Sequence, residues 1–274
     1  MTLTMVEVRT DAGALLQLPM DDISDGFAVE DIDGLDPVKA VIVSSSFAKL
    51  DGAQFQSSRR DARNLIFKLS MEPDYVVGSI QILRDRLYSF FMTESRVTLT
   101  FIMSSGLSVN IVGRVEDFSA PRFEQEVVAT ISIMCLLPDF FDPISVVIAG
   151  NTVATTTETV LVYDGTVDTG FVFTLNVDRT LADFTVYNRP ADNIIRSMPV
   201  SVPLVAGDVL TISTVPGGKG ATLLRGGVES SVLYGISPYA SWISLYPGDN
   251  AFRVYAEGAA VPYTIEYTNK YGGV

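Results

Sequence analysis

The chain has 274 residues, of which 47% are apolar, and this allows two domains of about 130–140 residues, each with its own core. It carries 32 acidic and 19 basic residues, for a net charge of -13. Binding to nucleic acid depends on Lys and Arg that neutralise phosphates, and no run rich in these residues is present. The composition therefore excludes a nucleic-acid-binding protein.

The N-terminal segment MTLTMVEVRTDAG lacks a basic stretch followed by an apolar one, so it does not predict a signal peptide. No apolar run in the chain approaches the roughly 20 residues that span a bilayer. We therefore expect a soluble product that is made in the cytoplasm and does not insert into membranes.

The segment 21–37, DDISDGFAVEDIDGLDP, is rich in acidic residues. Asp31, Asp33 and Asp36 around Gly34 are similar to part of a calcium-binding loop. However, the twelfth position counted from Asp31 is Ile42, which cannot supply the bidentate carboxylate, and no helices flank the segment. The pattern favours a solvated acidic loop, and no metal or cofactor site is predicted.

Short alternating segments and a single helix make up the rest of the first half. Val38–Phe47 and Arg63–Met71 read as half-buried strands. Asp74 is placed to cap a helix over residues 74–91. Arg84 and Arg86 lie outside the apolar face of that helix and are expected to stay solvated or to meet a neighbour. The apolar face consists of Val76, Ile80, Leu83, Leu87 and Phe90.

Three further alternating segments follow the helix, RVTLTFIM, LSVNIVGRVEDF and FEQEVVATISIMC. The first half is therefore predicted to be α+β, a mostly antiparallel sheet with one helix that covers one face. Cys135, the only cysteine, lies in an apolar run, which predicts a buried, reduced thiol and excludes an intrachain disulfide.

The segment Leu136–Ile144, LLPDFFDPI, interrupts the strand pattern. Two Pro, two Asp and the exposed-looking pair Phe140 and Phe141 are typical of a domain boundary. We place the boundary near Asp142, which gives an N-terminal domain of residues 1–142 and a C-terminal domain of residues 143–274.

No amphipathic helix is predicted beyond the boundary. Strands of five to eight residues recur instead, separated by turn clusters, and this spacing predicts an antiparallel sandwich or barrel. The predicted strands are SVVIAG, TVLVYDG, FVFTLNV, FTVYN, DVLTIST, SVLYG, AFRVYAEG and YTIEYTN. The segment Pro216–Leu223, PGGKGATL, is similar to a phosphate-binding loop, but its spacing is wrong and no helix follows. A tight hairpin turn is predicted there.

The sequence offers little for catalysis. It contains no His, which excludes Ser-His-Asp and Cys-His arrangements and removes the commonest metal ligand. No dinucleotide or Walker motif is present. Paired carboxylates for glycoside hydrolysis remain open, because their separation depends on the fold. We predict that the protein is not an enzyme and has no cofactor.

The ordered motifs resemble the distal tail protein family of long-tailed (siphophage-type) bacteriophages. In the second half VYDGTVDTGFVFTLNV, GDVLTISTVPGGKGATL and ASWISLYPGDNAFRV follow the family's order. In the first half RRDARNLIFKLSM, LRDRLYSFF and LLPDFFDP are similar too. The resemblance runs from about Leu35 to the C-terminus. The first 20 residues depart from it, and fit either a longer first strand or an arm that reaches a neighbouring subunit.

The resemblance implies a mainly β protein with an N-terminal split-barrel-like (belt) domain and a C-terminal galectin-like β-sandwich. It implies a homo-hexameric ring at the distal end of the virion's tail. Such a ring joins the tail tube protein to the tail hub or tip protein and to receptor-binding or fibre proteins. DNA is only passing cargo in its centre, and the family carries no enzymatic activity.

Interfaces are the functional sites of such a protein. The candidates are Arg84 and Arg86, which could pair with acidic residues of the next subunit, and the pair Phe140 and Phe141. The apolar face of the helix is expected to pack on its own sheet. The net charge of -13 suggests an acidic lumen, which would let DNA slide without adhering.

The segment Pro238–Val254, PYASWISLYPGDNAFRV, admits two interpretations. Pro247 and Gly248 fit a tight turn, with Asn250 satisfying local backbone groups and with Trp242 and Leu245 covering a core. The alternative is a carbohydrate-binding module of a host-adsorption apparatus, in which exposed aromatic rings stack on sugar. The aromatic residues that could form such a platform are Trp242, Tyr234, Tyr239, Tyr246, Tyr255 and Tyr263.

Overall fold

The computed structural model describes residues 2–23, 25–48, 51–74, 78–124 and 126–274. The chain divides into two compact units. Unit 1 comprises Met1–Pro143 together with Gly272–Val274, and unit 2 comprises Ile144–Tyr271.

Unit 1 is built on one antiparallel sheet whose main path runs β2-β1-β7-β8-β9-β6-β3. Two further strands, β4 and β5, pair only with each other, and the short strand β10 pairs with β8. The strands are β1 (Leu3–Thr10), β2 (Leu15–Pro19), β3 (Phe27–Asp33), β4 (Ala40–Ser45), β5 (Gln54–Arg60), β6 (Arg63–Met71), β7 (Arg96–Met103), β8 (Ser108–Ser119), β9 (Val128–Cys135) and β10 (Phe140–Phe141). Because β1 lies between β2 and β7, the N-terminal segment is a first strand of this sheet.

One face of the sheet and one helix, α1 (Ile80–Phe91), enclose the core of unit 1. Buried side chains alternate with exposed or half-buried ones along β6, β7 and β9, as expected where one sheet face is covered. From the helix, Leu87, Phe90 and Phe91 are buried, and the ring of Tyr88 packs edge-on against Phe118 with centroids 4.9 Å apart. The predicted sheet with a single covering helix is confirmed.

The start of the helix differs from the prediction. It begins at Ile80, and the N-cap position is held by Ser79 without a side-chain capping bond. Asp74 instead accepts a hydrogen bond at its carbonyl oxygen from the amide of Gly78, at 2.8 Å. A glycine in a helix interior costs about 1 kcal/mol relative to Ala, which disfavours extending the helix back through Gly78. Val76 lies outside the described residues.

Two other local predictions are wrong. The acidic segment is not a loop throughout, because Phe27–Asp33 forms strand β3, which pairs with β6 and buries Phe27. Strand β4 is not half-buried: Ile42 is 64% exposed and Val43 is 47% exposed. The alternating pattern does form a strand, but among the described strands β4 pairs only with β5, and most of its side chains stay exposed.

Unit 2 contains two antiparallel sheets, with orders β11-β20-β13-β16-β17-β18 and β12-β19-β14-β15. Its strands are β11 (Val146–Asn151), β12 (Thr159–Tyr163), β13 (Val172–Asn176), β14 (Phe184–Pro190), β15 (Arg196–Val200), β16 (Val209–Ser213), β17 (Gly220–Arg225), β18 (Val228–Ser231), β19 (Gly248–Tyr255) and β20 (Pro262–Tyr267), with a further short strand β21 (Lys270–Tyr271).

The core of unit 2 lies between these sheets. Phe173 of β13 stacks on Phe184 of β14 with ring centroids 5.8 Å apart, and lies 5.3 Å from the ring of Tyr263. Aromatic residues of both sheets therefore meet in one buried cluster, and the predicted antiparallel sandwich is confirmed.

Two further segments of unit 2 can be compared with their predicted structures. The β16–β17 hairpin, in which Ser213 pairs with Gly220, confirms the predicted hairpin in the Gly-Lys segment. The segment SVLYG was predicted as a strand, but Leu233–Gly235 forms a short 3-10 helix after β18. No helix in the described part of the chain has the length and apolarity needed to cross a membrane.

Candidate assembly surfaces

The two helix arginines lie in different surroundings. Arg84 is 3% exposed and donates hydrogen bonds to the carbonyl oxygens of Ala120 and Pro121, at 2.8 and 2.7 Å. The prediction that Arg84 stays solvated is therefore wrong, because its guanidinium fastens the segment between β8 and β9 to the helix. Arg86 is half-buried and pairs with Asp25 at 2.7 Å.

The phenylalanine pair of the boundary segment is also less exposed than its sequence indicates. Phe140 is fully buried, and its ring packs edge-on against Phe101 with centroids 5.5 Å apart. Phe141 is half-buried and pairs with Asn110 of β8. The exposed apolar residues of this segment are instead Leu136, Leu137 and Ile144, at 73%, 79% and 77%.

A buried arginine that sequence reasoning missed explains the position of Phe140. The guanidinium of Arg63, at the start of β6, lies 4.4 Å from the centroid of the Phe140 ring. Arg63 is 1% exposed, and its partners are backbone carbonyl oxygens, so burial lowers the pKa of Arg63. The carbonyls belong to Pro138 (2.7 Å), Asp36 (2.7 Å), Gly272 (2.5 Å) and Gly34.

The β4–β5 hairpin of unit 1, which consists of the strands Ala40–Ser45 and Gln54–Arg60 with the described residues between them, leaves several large apolar side chains uncovered. We call it the apolar hairpin. All seven residues of β5 are exposed. Phe55 is 63% exposed and Phe47, just beyond β4, is 55% exposed. Two-stranded hairpins without a packed face are marginally stable in water, and clustered apolar exposure is typical of interaction surfaces.

A groove of about 410 Å³ lies elsewhere on unit 1, along the ends of β7, β8 and β9 and the segment that follows β9. We call it the sheet groove. Its polar lining includes Arg96 and Arg114, which face each other across β7 and β8, an arrangement in which like charges repel. Its apolar lining is formed by Ile111, Val112, Met134, Leu136, Leu137 and Phe141.

The charged neighbours of the groove are unequally paired. Asp139 forms a bidentate pair with Arg60, one of whose bonds measures 2.9 Å. Arg96 lies 3.7 Å from Asp11. Arg114 donates to the carbonyl oxygen of Glu94 at 3.1 Å, but no carboxylate of the described residues lies within salt-bridge distance of it. The rim of the groove is therefore open to an anionic group.

In unit 2 the Pro-Gly segment forms a structural corner. Gly248 has φ of 84°, as expected where Pro247 precedes a turn residue in the left-handed region. Asn250 is fully buried, and its Nδ2 donates to the carbonyl oxygens of Tyr246 and Gly248, at 2.8 and 3.0 Å. Its Oδ1 accepts from the Tyr246 amide and from Asn188 Nδ2, both at 3.1 Å.

The six aromatic residues that could form a sugar-binding platform differ in how far they are exposed to solvent. Leu245 is fully buried, and Trp242 is half-buried against the core, with Lys219 Nζ 5.5 Å from the centroid of its ring. Tyr263 is a core residue, at 8% exposure. Only Tyr234 and Tyr239, at 79% and 95%, are largely exposed among the six.

The groups with potential chemistry are few. Among the described residues no group of three or more His, Cys, Asp or Glu is placed to hold a metal ion; Asp31, for instance, pairs with Lys68 at 2.9 Å. Cys135 is fully buried, and burial raises the pKa of its thiol to about 12, so it is not a nucleophile at neutral pH.

Comparisons with known proteins identify phage tail components as similar in sequence and in fold. Residues 164–271 match the family described as siphovirus-type tail component, C-terminal domain. The crystal structure of Dit (gp 19.1) of phage SPP1, described as a paradigm of the hub adsorption apparatus in phages that infect Gram-positive bacteria, has a TM-score of 0.66 and 19% identity. That alignment covers 97% of this chain and 98% of the other, and shows a common fold.

A second solved structure, the phage P2 baseplate in its activated conformation with Ca, aligns over 100% of both chains with 10% identity and a TM-score of 0.46. No curated protein sequence matches the chain. The resemblance to phage tail components that the ordered motifs predicted is confirmed by the match of residues 164–271 to the model of the siphovirus-type tail component, C-terminal domain.

Proposed function

We propose that the protein is a structural virion component of a phage tail tip or baseplate. Copies of the chain form a hexameric ring at the distal end of the tail, which joins the tail tube protein to the hub or host-adsorption proteins. DNA passes through the centre of the ring. The chain is made in the host cytoplasm and then incorporated into the virion.

The observation that carries this proposal is the match of residues 164–271 to a siphovirus-type tail component. The fold shared with SPP1 Dit over 97% of the chain supports extending the proposal to unit 1. Because fold alone does not determine function, the hexamer and the partners belong to the proposal.

The apolar hairpin supports assembly. Ile42, Phe47 and Phe55 are all more than half exposed, on a two-stranded element that gains little from its own packing. In a monomer these side chains stay in water. Contact with a partner would bury them and would stabilise the assembly by roughly 25 cal/mol for each Å² of apolar surface buried. An assembly that covers the hairpin gains this stabilisation.

A structural rather than enzymatic role is consistent with the chemistry available. The sequence has no His, and its single thiol is buried with a raised pKa. The net charge of -13 suits a ring through which DNA moves, since acidic surfaces gain nothing from counterion release.

Negative-stain electron microscopy of the purified chain tests the proposal. We expect ring particles with six-fold symmetry and a central opening wide enough for duplex DNA. Isolated single chains at all protein concentrations, or open filaments without closure, would contradict the proposed ring.

The second candidate function, carbohydrate binding, is favoured by one observation, the exposure of Tyr234 and Tyr239 at 79% and 95%. Exposed aromatic rings can stack on the apolar face of a sugar. Isothermal titration with host surface polysaccharide distinguishes the two functions. A saturable signal that Tyr239→Ala abolishes would favour sugar binding, and no signal would leave the structural role alone.

A further inference from the structure

We propose that the segment Gly272–Val274, which we call the strap, controls when the chain can assemble, because its binding completes the fold of unit 1. The strap is separated from the rest of unit 1, Met1–Pro143, by the whole of unit 2. It is therefore synthesised last among the segments that make up unit 1. The inference rests on the proposed function in one respect, since the assembly that the strap controls is the proposed ring.

The strap lies against the backbone of the segment that joins β3 to β4. The amide of Val274 donates a hydrogen bond to the carbonyl oxygen of Leu35 at 3.2 Å. A Cβ atom added at Gly273 would lie 3.0 Å from that same oxygen, and 2.8 and 3.0 Å from Cδ and N of Pro37. Only glycine allows two backbones to approach this closely, so the sequence of the strap fits this contact.

Arg63, the first residue of β6, connects the strap to the interior of unit 1. Its Nη2 atom donates to the carbonyl oxygen of Gly272 at 2.5 Å, and this is the one acceptor of Nη2 in the described part of the chain. Its other acceptors are carbonyl oxygens within residues 34–36 and at Pro138, which are all synthesised before unit 2. Because Arg63 is 1% exposed, loss of the strap leaves a buried charged donor without its acceptor, which is costly.

The strap also holds the base of the apolar hairpin. Only residues 38–39 separate the segment 34–37 from β4, and only residues 61–62 separate β5 from Arg63. Both ends of the hairpin therefore start from the cluster of contacts that the strap completes. When the strap is unbound, the hairpin is held less firmly and has to be ordered during association, which lowers the affinity for a partner.

Amide hydrogen exchange of the full-length chain, followed by mass spectrometry, tests the closing of unit 1. Gly273→Ala places a methyl group against the backbone of Leu35 and Pro37. We expect peptides of β6 to exchange about ten- to a hundred-fold faster than in the wild type, while those of β13 in unit 2 are unchanged. Wild type and variants all carry Phe55→Ser in this experiment, so that assembly does not contribute to the protection.

Gly78→Ala is the matched control, because a Cβ atom at this glycine of unit 1 would meet no atom closer than 4.0 Å. It should leave the exchange of β6 unchanged. If Gly273→Ala exchanges no faster in β6 than Gly78→Ala, the strap does not complete unit 1 and the proposal is overturned.

Light scattering over a range of concentrations, with Phe55 intact, tests the control of assembly. We expect Gly273→Ala to raise the concentration of half-assembly about ten-fold or more. A chain that stops after Tyr271 has all of unit 2 but no strap. It should keep the wild-type urea transition of Trp242 fluorescence and have the mass of one chain. A truncated chain that forms the wild-type multimer would also overturn the proposal.

The mass of the wild-type chain separates this inference from the proposed function. A wild-type multimer whose assembly is unaffected by Gly273→Ala and by the truncation would reject control by the strap and leave the ring intact. A single-chain mass for the wild type would reject the ring, and with it the control of its assembly.

Discussion

At the scale of single residues, each unit contains a buried polar side chain whose hydrogen-bonding groups are paired with several partners. Arg63 in unit 1 donates to four carbonyl oxygens in three segments of the chain, and Asn250 in unit 2 makes four hydrogen bonds around its corner. Buried polar groups are costly unless they are fully paired. These two side chains are therefore the positions at which small changes should have large effects.

Replacing Arg63 with Ala should destabilise unit 1. The substitution leaves four carbonyl groups without their donor and removes the cation above the Phe140 ring, so we expect a loss of about 3 kcal/mol in the free energy of unfolding. Urea denaturation followed by circular dichroism measures the effect, and Arg59→Ala, at an exposed position of β5, is the control.

The single Trp allows the unfolding of unit 2 to be followed separately in the urea denaturation of Arg63→Ala. Trp242 lies in unit 2, so its fluorescence reports on that unit alone. The fluorescence transition of Arg63→Ala should stay at the wild-type urea concentration, while the transition seen by circular dichroism gains a phase at lower urea. A variant that keeps the wild-type profile with both probes would disprove the stabilising role of Arg63.

Asn250→Ala should have the complementary effect on unit 2. The substitution removes the acceptor and the donor that fix the backbone of Tyr246 and Gly248, so we expect the free energy of unfolding to fall by about 2–3 kcal/mol. Trp242 fluorescence during urea denaturation is the measurement. Asp249→Ala, one position away and exposed, should change it by less than about 0.5 kcal/mol; equal effects of the two variants would contradict the account.

The Asp208–Arg225 pair predicts a pH dependence. Hydrogen bonds from Arg225 to the buried Asp208 carboxylate, at 2.6–3.2 Å, hold the pKa of Asp208 below its usual value. A carboxyl whose pKa is lower in the folded state stabilises the protein above its unfolded-state pKa, about 3.9, and this contribution is lost as the pH falls through the folded-state pKa.

The difference in unfolding free energy between wild type and Asp208→Asn should therefore be largest at neutral pH. It should shrink progressively between about pH 5 and pH 2. Urea titrations followed by Trp242 fluorescence at a series of pH values give this difference. A difference that stays constant as the pH is lowered would show that the carboxylate's charge contributes nothing.

At the scale of elements, helix α1 carries two neighbouring arginines, Arg84 and Arg86, that contribute differently to stability. Arg84 is buried against the carbonyl oxygens of Ala120 and Pro121, whereas Arg86 is paired at the surface with Asp25. Arg84→Glu would bury a negative charge beside these oxygens, and should lower the free energy of unfolding by about 3 kcal/mol or more. Arg86→Glu should cost about 1 kcal/mol or less.

Circular dichroism during urea denaturation distinguishes the two variants. Light scattering at low urea gives the mass of each, and so separates loss of fold from loss of assembly. Equal stabilities would contradict the different roles that we assign to the two arginines.

Much of the fold at this scale follows from local sequence patterns. The alternation of β6 and β13 and the burial of Leu87 and Phe90 on one face of α1 were predicted correctly, because they depend on residues a few positions apart. The burial of Arg63 could not be predicted, because its partners at Pro138 and Gly272 lie 75 and 209 residues away along the chain. Likewise, alternation alone cannot reveal that the side chains of β5 and most of those of β4 stay exposed.

The candidate interfaces were predicted less well for the same reason. Arg84 and Phe140 were selected as residues available to a neighbour, but their own chain encloses them. The hairpin and the sheet groove, by contrast, carry no motif, and become visible only when exposure is known for every residue around them. A signal was present in Phe47 and Phe55, two aromatic residues that are each flanked by polar or small residues, but a sequence does not say which aromatic residues are covered.

At the scale of the whole molecule, the chain has two units with distinct cores. Unit 2 carries the family match, and unit 1 carries the uncovered hairpin and groove. The proposed ring therefore depends on surfaces of unit 1, whereas unit 2 is free to differ in what it binds. In this view the stability of each unit and the assembly of the ring can be altered separately.

Size-exclusion chromatography with multi-angle light scattering, over a range of protein concentrations, tests this account most directly. It predicts a species with a mass near six times the 29.7 kDa of the chain, which persists on dilution and is reduced to smaller species by the exposed substitution Phe55→Ser. A mass equal to one chain at every concentration would contradict it.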